Sequence, residues 1–287
     1  MKLKVNQLNH FDIKRETENG DLYLQGWSPA GESKAVICLV HGLGEHSGRY
    51  SDLARFFNRN NFSLIAIDLP GHGKSFGPRG HISSYKVMMD MVAILLEEGQ
   101  QRFSGLPCFL YGHSMGGNLV VNYALRKNPG LEGLIVSAPW LKLDPDPPFV
   151  KAMLGRLMNH LVPQFSQTND IEPDLLTHDE KIVEQYSNDP LVHDQISARL
   201  FVEVSSAGKQ ALENASKIDL PMLMMAGTED KMVSFEAVRE FSQKVSADCT
   251  FKSWDGFYHE VHNEIGKTEV YSYLLDWLKN RLKNSIF

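Results

Sequence analysis

The stretch Gly112-His113-Ser114-Met115-Gly116 constrains this chain more than any other. It reads G-x-S-x-G. The run before it, Pro107-Cys108-Phe109-Leu110-Tyr111, suits a buried strand, and Gly117 to Leu125 after it suits a helix. A serine at a sharp strand-to-helix turn is a nucleophile elbow. The turn is too tight for side chains two residues before and after the serine. Gly112 and Gly116 are therefore expected to supply clearance and unusual backbone angles. The following helix directs its N-terminal N–H groups at the place where negative charge develops. A Gly-rich turn with a buried serine would explain the pentapeptide alone but not its flanks.

The rest of the chain alternates in a way that fits this turn. Leu22 to Gly26 alternates and reads as an edge hairpin. Ala35 to Val40 and Phe62 to Ile67 are continuous apolar runs, as expected of strands buried on both faces of a parallel sheet. Helical spacing covers Tyr50 to Asn60 and about Tyr85 to Gln101, and Leu134 to Ser137 is a further strand. The rhythm breaks between Ala138 and Lys217, a stretch that opens Pro-rich, turns helical and holds no convincing strand. It resumes with Pro221 to Met225, a helix around Phe235 to Val245, a strand at Cys249 to Trp254 and a last helix from about Glu264 to Leu282. The expected fold is α/β, with a mainly parallel central sheet flanked by helices. Residues 1–138 and 218–287 would form its core, and 139–217 a helical cap over the strand ends.

With 43% hydrophobic and 22% charged residues, the composition is that of a soluble globular protein. The formal net charge of -6 argues against a nucleic-acid partner and gives no general attraction to anionic membranes. The 3 cysteines, Cys38, Cys108 and Cys249, form no C-x-x-C pair and fit a reducing compartment. Met1 to His10 has no apolar core of a secretory signal. The expected location is cytoplasmic, with room for a peripheral attachment to membranes.

A serine hydroxyl needs a base, and the base needs an orienting acid. With this elbow the chain order is serine, acid, histidine. Downstream, the strand through Met225 ends in Ala226-Gly227-Thr228-Glu229-Asp230, which makes Asp230 the acid and Glu229 the fallback. The strand ending at Trp254 leads to Asp255-Gly256-Phe257-Tyr258-His259, which makes His259 the base, with His262 its rival. The oxyanion hole needs two backbone N–H groups. Met115 supplies one, and the loop His41-Gly42-Leu43-Gly44 the other, from Leu43.

Three decoys fail on spacing. Gly42-Leu43-Gly44-Glu45-His46-Ser47 has serine where a dinucleotide motif needs its third glycine. Gly73-Lys74-Ser75 has Asp68 where a phosphate loop needs its first glycine. His259-Glu260-Val261-His262 is one residue short of a zinc motif. No metal ligand is assigned, and the chemistry needs no cofactor.

Together these residues resemble the monoacylglycerol lipase and lysophospholipase family of serine α/β hydrolases. The resemblance rests on His41 to Tyr50, Asp68 to Ser75, Gly112 to Gly117, Tyr186 to Leu191, Gly227 to Asp230 and Tyr258 to His262. It implies an α/β-hydrolase fold with a cap that docks on membranes or micelles. It implies hydrolysis of a glycerol monoester by Ser114, His259 and Asp230. Glu45, Arg49 and His262 stand where similar enzymes hold the glycerol head, and Tyr186 looks like a cap residue that reaches the same place. Leu43 stands where the closest relatives have a small residue, so its side chain would narrow the site. In the cap, Phe149, Val150, Met153, Leu154, Leu157, Met158, Leu161 and Val162 form one apolar stripe. It reads either as a helix packed on the core or as a lid that touches lipid. The alternatives in activity are a lysophospholipase, a general carboxylesterase and, remotely, a non-catalytic binding protein on the same fold.

Overall fold

The computed structural model describes residues 9–127 and 129–284. Residues 1–8, most of the segment read for a secretory signal, lie outside them. In chain order the strands are β1 (Asn9–Thr17), β2 (Gly20–Ser28), β3 (Val36–Val40), β4 (Ser63–Ile67), β5 (Cys108–His113), β6 (Gly133–Ser137), β7 (Ser166–Thr168), β8 (Gln195–Ser197), β9 (Met222–Gly227) and β10 (Cys249–Trp254). The α-helices are α1 (Ser51–Arg59), α2 (Tyr85–Arg102), α3 (Met115–Lys127), α4 (Phe149–Leu161), α5 (Glu180–Asn188), α6 (Ala198–Asn214), α7 (Phe235–Lys244) and α8 (Lys267–Asn284).

Eight strands form one sheet in the order β1-β2-β4-β3-β5-β6-β9-β10. Strands β3 to β6, β9 and β10 pair in parallel, while the β1–β2 hairpin joins antiparallel at one edge. The central strands are buried on both faces, which is why their sequences run apolar without alternation. Their side chains still alternate in space. Val36, Cys38 and Val40 pack among residues of α2 and α3, while Ile37 and Leu39 pack among those of α1 and α8. The edge strand β1 is missing from the sequence reading because it is mostly polar and partly exposed.

The loops that follow β3, β5, β9 and β10 all leave the carboxyl ends of parallel strands. In an open α/β sheet that end is where ligands bind. The turn after β5 is built as the sequence requires, with one difference. A Cβ on Gly112 would lie 2.4 Å from the Gly116 carbonyl oxygen, and one on Gly116 would lie 2.2 Å from that of Val40. The glycines therefore supply clearance. The left-handed backbone falls on Ser114 itself, at φ 53°.

Between β6 and β9 the chain leaves the sheet. Helix α6 is tied to α3 by two buried amides. Asn118 Nδ2 donates to the carbonyls of Trp140 (2.7 Å) and Val204 (3.1 Å), and Asn122 Nδ2 donates to that of Ala207 (3.2 Å). The expectation of no strand here is corrected by β7 and β8, which pair antiparallel. Each is three residues long, too short for a period to show, and only the partner decides the pairing. Helix α8 begins at Lys267 rather than near Glu264, because the Glu264 carboxylate accepts the Tyr258 and His178 N–H groups. Helix α4 carries no buried residue.

Because the Gly116 site is closed by backbone, Gly116→Ala is expected to destabilise the protein by about 2–3 kcal/mol. A urea midpoint equal to that of the parent would show that the turn can relax.

Candidate active site

Three loops bring Ser114, His259 and Asp230 together. His259 Nδ1 lies 2.8 Å from Asp230 Oδ2, and its Nε2 lies 2.9 Å from Ser114 Oγ. A carboxylate only accepts, so Nδ1–H donates to Asp230 and Nε2 is left to accept the serine proton. Asp230 is itself fixed, its Oδ1 accepting the N–H groups of Met232 (2.8 Å) and Val233 (3.0 Å). Glu229, the fallback, points its side chain to solvent. Burial disfavours the charged form of His259, but Asp230 and the more distant Glu260 and Glu45 outweigh it and raise its pKa.

His262, the rival base, is buried with both ring nitrogens unpartnered and stacks on Tyr50 at 4.9 Å between ring centres. Burial pushes its pKa down to about 4, so it is a neutral packing ring at ordinary pH. It does not line the cavity in front of Ser114 and His259.

Met115 opens α3 directly after Ser114, where the first N–H groups have no intrahelical acceptor. The loop carrying Leu43 is held from two sides. Gly42 N–H donates to Glu45 Oε1 at 2.6 Å. Buried His41 accepts the Leu69 N–H on Nε2 (3.0 Å), so its Nδ1–H faces the Gly42 carbonyl at 2.7 Å. Burial lowers the His41 pKa and keeps that ring neutral, as the acceptor role requires.

A cavity of about 310 Å³ opens on Ser114 and His259. Leu43, Leu143, Ile171, Ile196, Met232 and Val233 give it apolar walls, and Glu45, Asn169 and Tyr186 give it polar ones. A second, mainly apolar cavity of about 590 Å³ under α4 shares Ile196 and Phe201 with it. Arg49 lines neither. Its guanidinium sits 4.7 Å from the centre of the Tyr186 ring and is bound by Glu45 and Glu260. So the structure brings Glu45 and Tyr186 to the cavity, with Arg49 and His262 behind them.

Sequence reasoning missed two side chains that shape this site. Asp68, given no role of its own beyond spoiling a phosphate loop and opening one of the resembling motifs, accepts from Ser47 N–H (2.8 Å), Ser47 Oγ (2.6 Å) and Lys74 N–H (2.8 Å). It thereby anchors the end of the Leu43 loop. An acid directly after the apolar run Phe62–Ile67 was the available signal. Glu260 was read as part of a failed zinc motif and of a resembling motif, without a role of its own, and nothing in its spacing announces its partner Arg49.

The family model described as serine aminopeptidase S33 matches residues 31–266. The chain belongs to this family. It falls in the monoacylglycerol lipase and lysophospholipase branch of the serine α/β hydrolases. The crystal structure of a monoacylglycerol lipase from Paleococcus ferrophilus is 34% identical, with a TM-score of 0.83 over 91% of this chain and 99% of that one. The phospholipase YtpA of Bacillus subtilis is 30% identical over 83% of this chain and 92% of its own length. An uncharacterized abhydrolase domain-containing protein of Dictyostelium discoideum is 35% identical over 92% of this chain, which spans only 28% of that larger protein. The fold is the α/β-hydrolase fold, and among the described residues no helix is long and apolar enough to cross a membrane.

Buried histidines make this fold acid-labile. Burial lowers the pKa of His41, His72 and His113, and takes His193 and His262 to about 4. An unfolded histidine binds its proton near ~6.5. Below that pH the unfolded chain therefore holds protons that the folded one refuses, and stability falls as pH drops toward about 4. His259, with its raised pKa, works the other way, but it is one group against five. The urea midpoint is expected to fall steadily from pH 7 to pH 5. A midpoint that is flat or rising over that interval would contradict this reading.

Proposed function

We propose that this protein hydrolyses monoacylglycerols to fatty acid and glycerol through an acyl-enzyme on Ser114. The observation that carries the reading is His259, hydrogen-bonded at once to Ser114 and Asp230 at the mouth of an apolar-walled cavity. Ser114 Oγ attacks the ester carbonyl as His259 Nε2 takes its proton. The oxyanion sits on the N–H groups of Leu43 and Met115. His259 then returns the proton to the leaving glycerol oxygen, and water repeats the sequence on the acyl-enzyme. Asp230 holds the Nδ1–H tautomer and stabilises the imidazolium.

The polar wall suits a glycerol head. Glu45 can accept from a hydroxyl, and the Tyr186 hydroxyl, which burial keeps protonated, can both donate and accept. Arg49 and His262 act behind them, by holding Glu45 and packing the floor. The apolar walls suit an acyl chain, at roughly 0.8 kcal/mol per buried methylene. The phospholipase among the relatives raises a second reading, a lysophospholipid substrate. Arg49, held by two carboxylates behind the cavity, offers such a phosphate nothing, and the cations it would meet are Lys151 and Lys231 in the cavity lining.

The segment 139–217 serves as the cap. On α4, Phe149, Val150, Met153, Leu154, Leu157 and Leu161 are at least half exposed. A contiguous apolar patch of this kind marks an interaction surface, here a lipid one. With Met153→Glu and Leu157→Glu together, binding to phosphatidylcholine vesicles should fall while hydrolysis of a soluble short-chain ester stays unchanged. Undiminished vesicle binding would remove the patch from the proposal.

Ser114→Ala should lose at least ~10⁴-fold in turnover of monoacylglycerols, and Asp230→Asn on the order of 10³–10⁴. Fatty acid release across a series of chain lengths reads both. Substantial release by the Ser114 variant would sink the mechanism. Release from lysophosphatidylcholine but not from any monoacylglycerol would move the substrate to the second reading.

A further inference from the structure

Glu260 directly follows His259, and its side chain is buried. Its two oxygens accept from Arg49 Nη1 and Nη2 at 2.6 and 2.7 Å, and Oε2 also accepts from Asn263 Nδ2 at 2.7 Å. Its N–H donates to the Leu176 carbonyl at 2.8 Å. Arg49 Nη1 also donates to Glu45 Oε2 at 2.6 Å, and Glu45 Oε1 accepts from Gly42 N–H and the Tyr50 hydroxyl. One guanidinium thus joins the loop that carries His259 to the loop that carries Leu43. The charges do not cancel. Two carboxylates on one guanidinium leave one net negative charge in a buried site. A buried ion pair is weak support for stability, and a surplus charge is weaker still.

The groups facing His259 are few. Asp230, Glu45 and Glu260 are anionic and Arg49 is cationic. His113, whose ring centre is 4.8 Å away, and His262 are held neutral by burial. Arg49 pulls the Glu260 pKa down to about 2 against the effect of burial, so its carboxylate stays charged across the working range.

We propose that Glu260 is a positioning residue, which fixes His259 against the oxyanion loop through Arg49 while the surplus charge of the Glu45–Arg49–Glu260 cluster stabilises the His259 imidazolium. The proposal rests on His259 as the base. As Ser114 Oγ bonds the carbonyl carbon, its proton passes to Nε2, and the positive ring so formed meets two sources of negative charge instead of Asp230 alone. Geometry and charge act through the same cluster but can be separated by substitution.

The test is the pH dependence of kcat and KM on p-nitrophenyl butyrate for the parent, Glu260→Gln, Arg49→Lys and His259→Ala. This substrate has no glycerol head, so the result does not depend on the head-group reading. Glu260→Gln keeps the shape and removes the charge. It should lower kcat about tenfold with KM within about twofold, and move the acid limb to lower pH. Arg49→Lys keeps the charge and breaks the two-point grip. It should lower kcat about tenfold and leave the acid limb in place. A merely structural Glu260 would lower the melting temperature without moving the acid limb, and that result overturns the charge role. Parental kcat in Arg49→Lys overturns the positioning role. Activity in His259→Ala would overturn the base assignment instead, and the proposal with it.

Discussion

The turn at Ser114 is the constraint on which the rest depends. A non-glycine residue at φ 53° is strained by about 1–3 kcal/mol. Three backbone hydrogen bonds hold it there. Ser114 N–H donates to the Ser137 carbonyl, and the Ser114 carbonyl accepts from Asn118 and Trp140, all at 3.0 Å. These bonds run to β6, to α3 and to the segment that follows β6. Ser114 is thus fixed by the sheet, the helix and that segment together. The backbone that carries its hydroxyl cannot move away from His259 without breaking these bonds.

Around that turn the site combines neutral and charged buried groups with separate tasks. His41, His113 and His262 are kept neutral by burial and serve as acceptors or packing rings. Asp230, Glu45 and Glu260 are each held by hydrogen-bond donors in the interior. The one histidine with a raised pKa is His259, which faces the carboxylates. A base that must become cationic for an instant is best placed where anions outnumber cations. The same arrangement costs the fold resistance to acid, because burial makes His41, His72, His113, His193 and His262 resist taking up protons.

Much of this was legible in the chain. Continuous apolar runs announced the parallel strands, since side chains buried on both faces leave no period-2 signal. The order of Ser114, Asp230 and His259 followed from the elbow, because the loops after β5, β9 and β10 must open on one edge of the sheet. The loop that carries Leu43 was visible as glycines after β3. What escaped was held by polar contacts. β1 is too polar to read as a strand, and β7 and β8 are too short to carry a pattern. Glu260 and Arg49 are 211 positions apart, and no local rule pairs them.

The sequence by itself determined the sheet, the elbow and the loops on which the candidate residues stand. Each is encoded locally, by apolar runs, by glycines where a Cβ would collide and by residues placed just after strand ends. Only the tertiary structure places Asp230 rather than Glu229, and His259 rather than His262, in hydrogen-bonded line with Ser114, since that turns on which side chain is buried and what it faces. It also decided that Arg49 binds two carboxylates rather than the cavity, and that the α4 stripe stays exposed. Those outcomes depend on distances across the fold, which a linear chain does not contain.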